Sequence, residues 1–199
     1  MATKTRMRGG DAIARKADAK LGHVAQLWCE ALGSCCSAGE VGVLERELVF
    51  SNISEIQRVV LSYEIKAKLF ATLFDLVYSF EVSGCAPNGA KVFLLDGANG
   101  FGCSIGSTAK KLNEFLPGAL FRDRVRDLGI TKMEAVFVAE EALWHIRMVG
   151  LVGSSTWNLL PPVLQLIEPR RDECVRATEL MRMIGAALAR CDCMEDGGL

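Results

Sequence analysis

The chain has 199 residues, half of them hydrophobic, which is enough apolar material for one core of ordinary domain size without help from metal or disulfide. Its 23 Lys and Arg against 24 Asp and Glu give a net charge of −1. That balance excludes a global field that would pull the protein onto nucleic acid or an anionic surface, so any such binding has to be local.

Residues 1–10 read as a flexible basic head. The first twenty residues carry Lys4, Arg6, Arg8, Arg15, Lys16 and Lys20 against Asp11 and Asp18, six cations to two carboxylates. A helix is expected from Asp11, a natural N-cap, through Ile13, Ala17, Val24, Trp28 and Leu32, closed by Gly33. Residues 33–39 suit a loop. Val43, Leu44 and Leu48 suggest a short helix over 40–50, with strand as the alternative.

Asn52 and Glu55 have the spacing of a capping box. Ile53, Ile56, Val60, Leu61, Ile65, Leu69, Phe70, Leu73, Phe74, Val77 and Phe80 follow at three- and four-residue spacing. The expectation is helix to about Ser83, bent or divided near Ser62 and Tyr63, with its second half at the centre of the core. A turn at 84–89 precedes Val92-Phe93-Leu94-Leu95, a run too short to separate strand from buried helix.

Helix is expected again over 107–116 and, past Pro117-Gly118, through Arg126 to a stop at Gly129. Thr131 and Glu134 resemble a second capping box, opening a long helix through Val136, Phe137, Leu143, Ile146 and Val149 that Gly150 and Gly153 end. Pro161-Pro162 fits the first turn of a short helix to Ile167, and a last helix spans 172–190 through Leu180, Ile184 and Leu188. Residues 191–199 form an acidic tail. The implied architecture is all-α: one domain over 11–190, orthogonal or bundle-like, of about six to eight helices and at most one short strand.

Residues 97–106 are rich in glycine between an apolar run and a helix start, the order found where backbone amides cradle a phosphate. On the P-loop template Gly97 and Gly102 have the right separation and Ser104 takes the hydroxyl position, but Cys103 stands where lysine belongs. Lys110 or Lys111 would have to supply that charge. Gly100, Gly102 and Gly106 miss the dinucleotide spacing by one residue.

Arg122, Arg124 and Arg126, with Lys110, Lys111 and Arg170-Arg171, could compose a groove for RNA phosphates, although Asp123 and Asp127 alternate with them. The cysteines lack paired zinc spacings, and His23 and His145, the only histidines, stand far apart in sequence. No catalytic residue, metal or cofactor is assigned.

Met148, Trp157, Leu159, Leu160, Val163, Leu164, Leu166, Ile167, Met181 and Met183 are more apolar surface than one core obviously needs. The expected function is therefore a non-enzymatic protein-interaction or self-assembly module, with another protein or a second copy as partner and a homo-oligomer as outcome. An RNA-binding helical protein is the first alternative, and a phosphate- or nucleotide-binding enzyme using residues 97–106 the second.

Eight cysteines with no apolar leader before Gly10 suggest an intracellular protein, cytoplasmic or nuclear. Even the most apolar run, Leu69 to Phe80, holds Thr72, Asp75 and Ser79, so membrane insertion is not expected.

Overall fold

Period-two patterning governs the middle of the chain. Val59, Leu61 and Tyr63 are buried and alternate with Arg58, Val60, Ser62 and Glu64; Phe74, Leu76, Tyr78, Phe80 and Val82 repeat the pattern in the next segment. Their β-branched and aromatic side chains suit a pleated, half-buried surface. The computed structural model describes residues 8–51, 56, 58–84, 86, 90–95, 100–103 and 118–191.

In chain order these form α1 (Arg8–Leu32), a 3-10 turn (Gly33–Cys35), β1 (Cys36–Gly42), β2 (Glu45–Phe50), β3 (Arg58–Ala67), β4 (Ala71–Ser83), β5 (Lys91–Leu95) and β6 (Gly100–Cys103). There follow α2 (Gly118–Asp127), β7 (Ile130–Val138), β8 (Leu143–Leu159), β9 (Pro162–Leu166) and α3 (Arg171–Cys191). The nine strands make one antiparallel sheet in the order β1-β2-β3-β4-β8-β7-β5-β6, with β9 on β8.

The all-α expectation is overturned. The helix expected over 40–50 is the β1–β2 hairpin, the long helix to Ser83 is β3 and β4 in its described part, and Thr131 to Val149 is β7 and most of the first half of β8. The segment after Pro161-Pro162 is β9 instead of a helix. Two turns escape notice because neither holds glycine or proline. Lys68-Leu69-Phe70 joins β3 to β4, and Ala139-Glu140-Glu141-Ala142 joins β7 to β8 with helix-forming residues and a left-handed Ala142 (φ 52°). The helix expected over 107–116 lies outside the described residues.

Three expected helices stand. α1 buries Ala17, Leu21, Val24, Ala25 and Trp28 along one stripe, and α3 buries Cys174, Ala177, Leu180, Met181, Ile184, Ala187 and Leu188. Asp172 and Glu173 occupy the first turn of α3, where the Glu173 carboxylate accepts the Arg170 amide at 2.7 Å. α2 adds Phe121 and Val125. Together the helices cover one face of the sheet, where Trp28 meets Tyr78 and Trp144 meets Phe137.

β8 is the spine. Its first half lies between β4 and β7, and its last five residues lie between β4 and β9. Between the halves Gly150 to Ser155 is set against only Phe74 to Leu76 of β4, a bulge of Leu151, Val152, Gly153 and Ser154.

Off the ladder, and buried from Val152 to Ser154, its polar groups find other partners. The Tyr78 hydroxyl donates to the Val152 carbonyl at 3.2 Å, and the Tyr63 hydroxyl to the Gly153 carbonyl at 2.9 Å. Ser154 Oγ donates to the Gly150 carbonyl at 2.7 Å and accepts the Leu76 amide at 2.8 Å. The Gly153 amide reaches the Ile167 carbonyl and the Leu151 amide the Gly129 carbonyl. Burial holds both phenols protonated, Tyr63 pushed up to about 12 and Tyr78 further, so both remain donors.

The β1–β2 turn is pinned to α1. Leu44 takes a left-handed conformation (φ 60°), and its amide donates to Asp18 Oδ1 at 2.8 Å while Arg46 holds Oδ2 at 2.7 Å. The Arg46 guanidinium holds the Asp18 carboxyl below its ordinary value of 3.8, aided by the Leu44 amide and opposed by burial.

Gly153 has φ +86°, and a Cβ there would lie 2.5 Å from Leu76 Cδ2. Gly153→Ala is expected to cost about 2 to 4 kcal/mol in urea unfolding from backbone strain and overpacking; a loss within error of zero would refute this account of the bulge. A depressed carboxyl contributes stability above its unfolded pKa and loses it as pH falls through the folded value. Asp18→Asn is therefore expected to be less stable at neutral pH and to show a flatter decline in stability below pH 3.8; an unchanged slope would speak against it.

Candidate functional site

The face of the sheet turned away from the helices is polar and internally neutralised. Arg147 reaches Glu64 at 2.6 Å across the row that holds Val77 and Val149, which explains why those two valines are buried there. Lys66 holds Asp75 at 2.6 Å, Arg58 holds Glu47, and Lys91 and Lys132 both approach Glu134. His145 stands between Glu141 (2.7 Å) and Glu81 (3.3 Å) beside a shallow basin of about 700 Å³. Cations and carboxylates paired in this way leave little net field for a polyanion.

The residues singled out from sequence are scattered. Gly100 and Gly102 lie in β6, their backbones paired with β5. Gly97, Ser104, Lys110 and Lys111 lie outside the described residues. Arg122, Arg124 and Arg126 are on α2; Arg124 and Arg171 meet in a cleft between α2 and α3, where Arg124 holds Glu179 at 2.9 Å and Arg176 holds Asp127 at 3.1 Å. Arg126 holds Asp123. His23 lies by Glu168, away from His145. Among the described residues no three His, Cys, Asp or Glu side chains are placed to hold a metal ion.

Two of the described thiols, Cys36 and Cys174, are buried. Cys29 of α1 and Cys36 of β1 have their sulfurs 3.7 Å apart. Cys36 is pushed up to about 12, chiefly by burial and then by its bond with Cys29; Cys174 is likewise pushed up to about 12 by burial, with Glu173 adding to it. Neither supplies a thiolate at neutral pH.

Exposed apolar side chains gather at one end of the sheet, and a separate one, Val43, stands in the β1–β2 turn. The β3–β4 turn presents Leu69, 81% exposed, and Phe70, 67% exposed; the β8–β9 turn presents Leu159 and Leu160, the latter 84% exposed. The two turns are tied together, since the Leu159 amide donates to the Phe70 carbonyl at 3.0 Å. Ile65 and Val163 extend the patch, and the Lys16 ammonium stands 5.1 Å over the Trp157 ring at its helix-side margin.

Both turns are held from behind. Lys68 bonds back to Ala71, and past the bulge β4 pairs with β8 from Phe74 and Ser155 to Ala71 and Asn158. The sequence surplus is thus divided: Met148 and Met181 are buried, Trp157, Leu164, Leu166 and Met183 pack against the core, and Leu159, Leu160, Val163 and Ile167 face outward. Leu69 and Phe70 were hidden as core positions of an expected helix. Their signal is that two adjacent apolar residues, Leu69 and Phe70, break the alternation that runs from Val59 through Ala67.

A two-layer sandwich of an antiparallel sheet and, among the described residues, three helices, with one apolar end, is the class of protein these features define. The chain belongs to the family described as "Protein of unknown function (DUF3156)", whose model matches residues 30–188. Comparison with curated proteins gave no match, and comparison with solved structures gave none.

Burial of the two thiols generates a prediction. Iodoacetamide at mildly alkaline pH is expected to leave Cys36 and Cys174 unmodified in the folded protein and to label both after urea unfolding, as read by peptide mass spectrometry. Labelling of either at the same rate in both states would contradict their placement.

Proposed function

We propose that this chain is a non-enzymatic interaction module that docks through its paired hairpin tips. The observation that carries the reading is the exposure of Leu69 and Leu160, 81% and 84%, on turns bonded to each other and held by the central strands. Burying one such side chain against a partner contributes about 1.5 to 3 kcal/mol, and turns fixed in advance lose little entropy on docking.

Two observations support a binding role over a catalytic one. Cys36 and Cys174 are protonated, and the carboxylates around the basin on the open face face arginine, lysine or histidine. An intracellular setting, cytoplasmic or nuclear, belongs to the same reading and is supported by the free thiols of Cys29, Cys36 and Cys174.

A photoreactive leucine analogue incorporated at position 160 is expected to cross-link to a partner in cells, whereas the same probe at position 132, on the paired polar face, gives little product. Equal yields at the two positions would remove the tips from docking.

A further inference from the structure

We infer that the partner of the tips is an anionic lipid surface, with Leu69, Phe70, Leu159 and Leu160 entering the acyl boundary and Lys16 and Lys68 meeting the headgroups. This rests on the docking reading above and names its partner. The contact is peripheral: among the described residues no helix is long and apolar enough to cross a membrane.

Shape is the first argument. Leu160 and Leu69, the two most exposed large apolar residues among those described, sit at the turning points of two hairpins, so the patch is a pair of knobs. A knob needs an apolar socket on a protein partner. The recesses of a second copy carry charged side chains: Arg124, Arg171, Asp172 and Arg176 beside Val175 between α2 and α3, Glu81, His145 and Arg147 in the basin on the open face, and Glu40 and Arg46 among the small residues between α1 and β1. An acyl layer opens around whatever enters it, so shape complementarity is not required.

Charge is the second argument. Lys68 is exposed on the tip itself, next to Leu69, and has no ion pair among the described residues. Lys16 flanks the other tip over Trp157. Asp75, the carboxylate on β4 nearest this turn, is neutralised by Lys66 at 2.6 Å, and Glu64 by Arg147 at 2.6 Å. The end of the sheet is therefore cationic around an apolar centre although the whole chain carries a net charge of −1. Lysines near an anionic leaflet contribute attraction that fades within a Debye length, while their methylene stems lie along apolar surface.

The test is flotation of the full chain with vesicles of phosphatidylcholine alone or mixed with phosphatidylserine. The wild-type chain is expected to float with the mixed vesicles and to release as salt rises. Leu69→Ser combined with Leu160→Ser is expected to keep the wild-type Tm and lower partitioning by about a hundredfold. Lys16→Glu combined with Lys68→Glu is expected to remove the preference for phosphatidylserine.

No flotation, or flotation indifferent to the leucine substitutions, overturns the inference. Equal binding to both vesicle types overturns the role of the lysines. A wild-type oligomer that binds no vesicle and dissociates on the leucine substitutions would assign the tips to a second copy: the lipid inference then fails while the docking reading stands. Cross-linking at position 160 no stronger than at position 132 removes both.

Discussion

Four residues of β8 decide where the far end of the molecule lies. Without the bulge at Leu151 to Ser154, β8 would run three residues further along β4, about 10 Å at strand rise, and the Leu159-Leu160 turn would overshoot the Leu69-Phe70 turn. With it, the two turns end level and exchange a hydrogen bond. A buried bulge is tolerated only if its stranded polar groups are satisfied, because each orphan costs about 1 to 3 kcal/mol. Tyr63, Tyr78, Ser154 and the carbonyls of Gly129 and Ile167 are the residues that meet this condition.

The same constraint divides the surface into regions of different character. Over most of the sheet, opposite charges in neighbouring rows neutralise one another, and α2 and α3 do the same with interleaved arginines and carboxylates. Exposed pairs of this kind add little stability, but they leave those faces without a strong field. The hairpin tips depart from that rule. They place large apolar side chains in water on strands that are otherwise well paired, and a stable fold bears that exposure at the risk of aggregation unless something covers it.

Much of the helical part was legible in the residues. α1 and α3 follow from the spacing of Val24 and Trp28 and of Leu180, Ile184 and Leu188, because a helix bonds to itself four residues away and its buried stripe is written locally. The sheet was not. With Val60 and Val77 on the open face and Leu61 and Tyr78 on the covered one, both faces hold apolar residues, and a three- or four-residue spacing can be drawn through either. The turns at Leu69 and Glu140 carry no glycine or proline to interrupt that line. The β-branched and aromatic content of β3 and β4 was the better guide.

The residues alone therefore determined the terminal helices, the balance of charge that denies the chain a global field, and an apolar surplus between Trp157 and Ile167. Only the tertiary structure decided which part of that surplus is core and which is exposed, and only it brought Leu69 and Phe70 beside Leu159 and Leu160. The reason is the range of the bonds. A strand finds its partners anywhere along the chain, as Tyr63 does in bonding the Gly153 carbonyl 90 residues away, and no local period records such a choice.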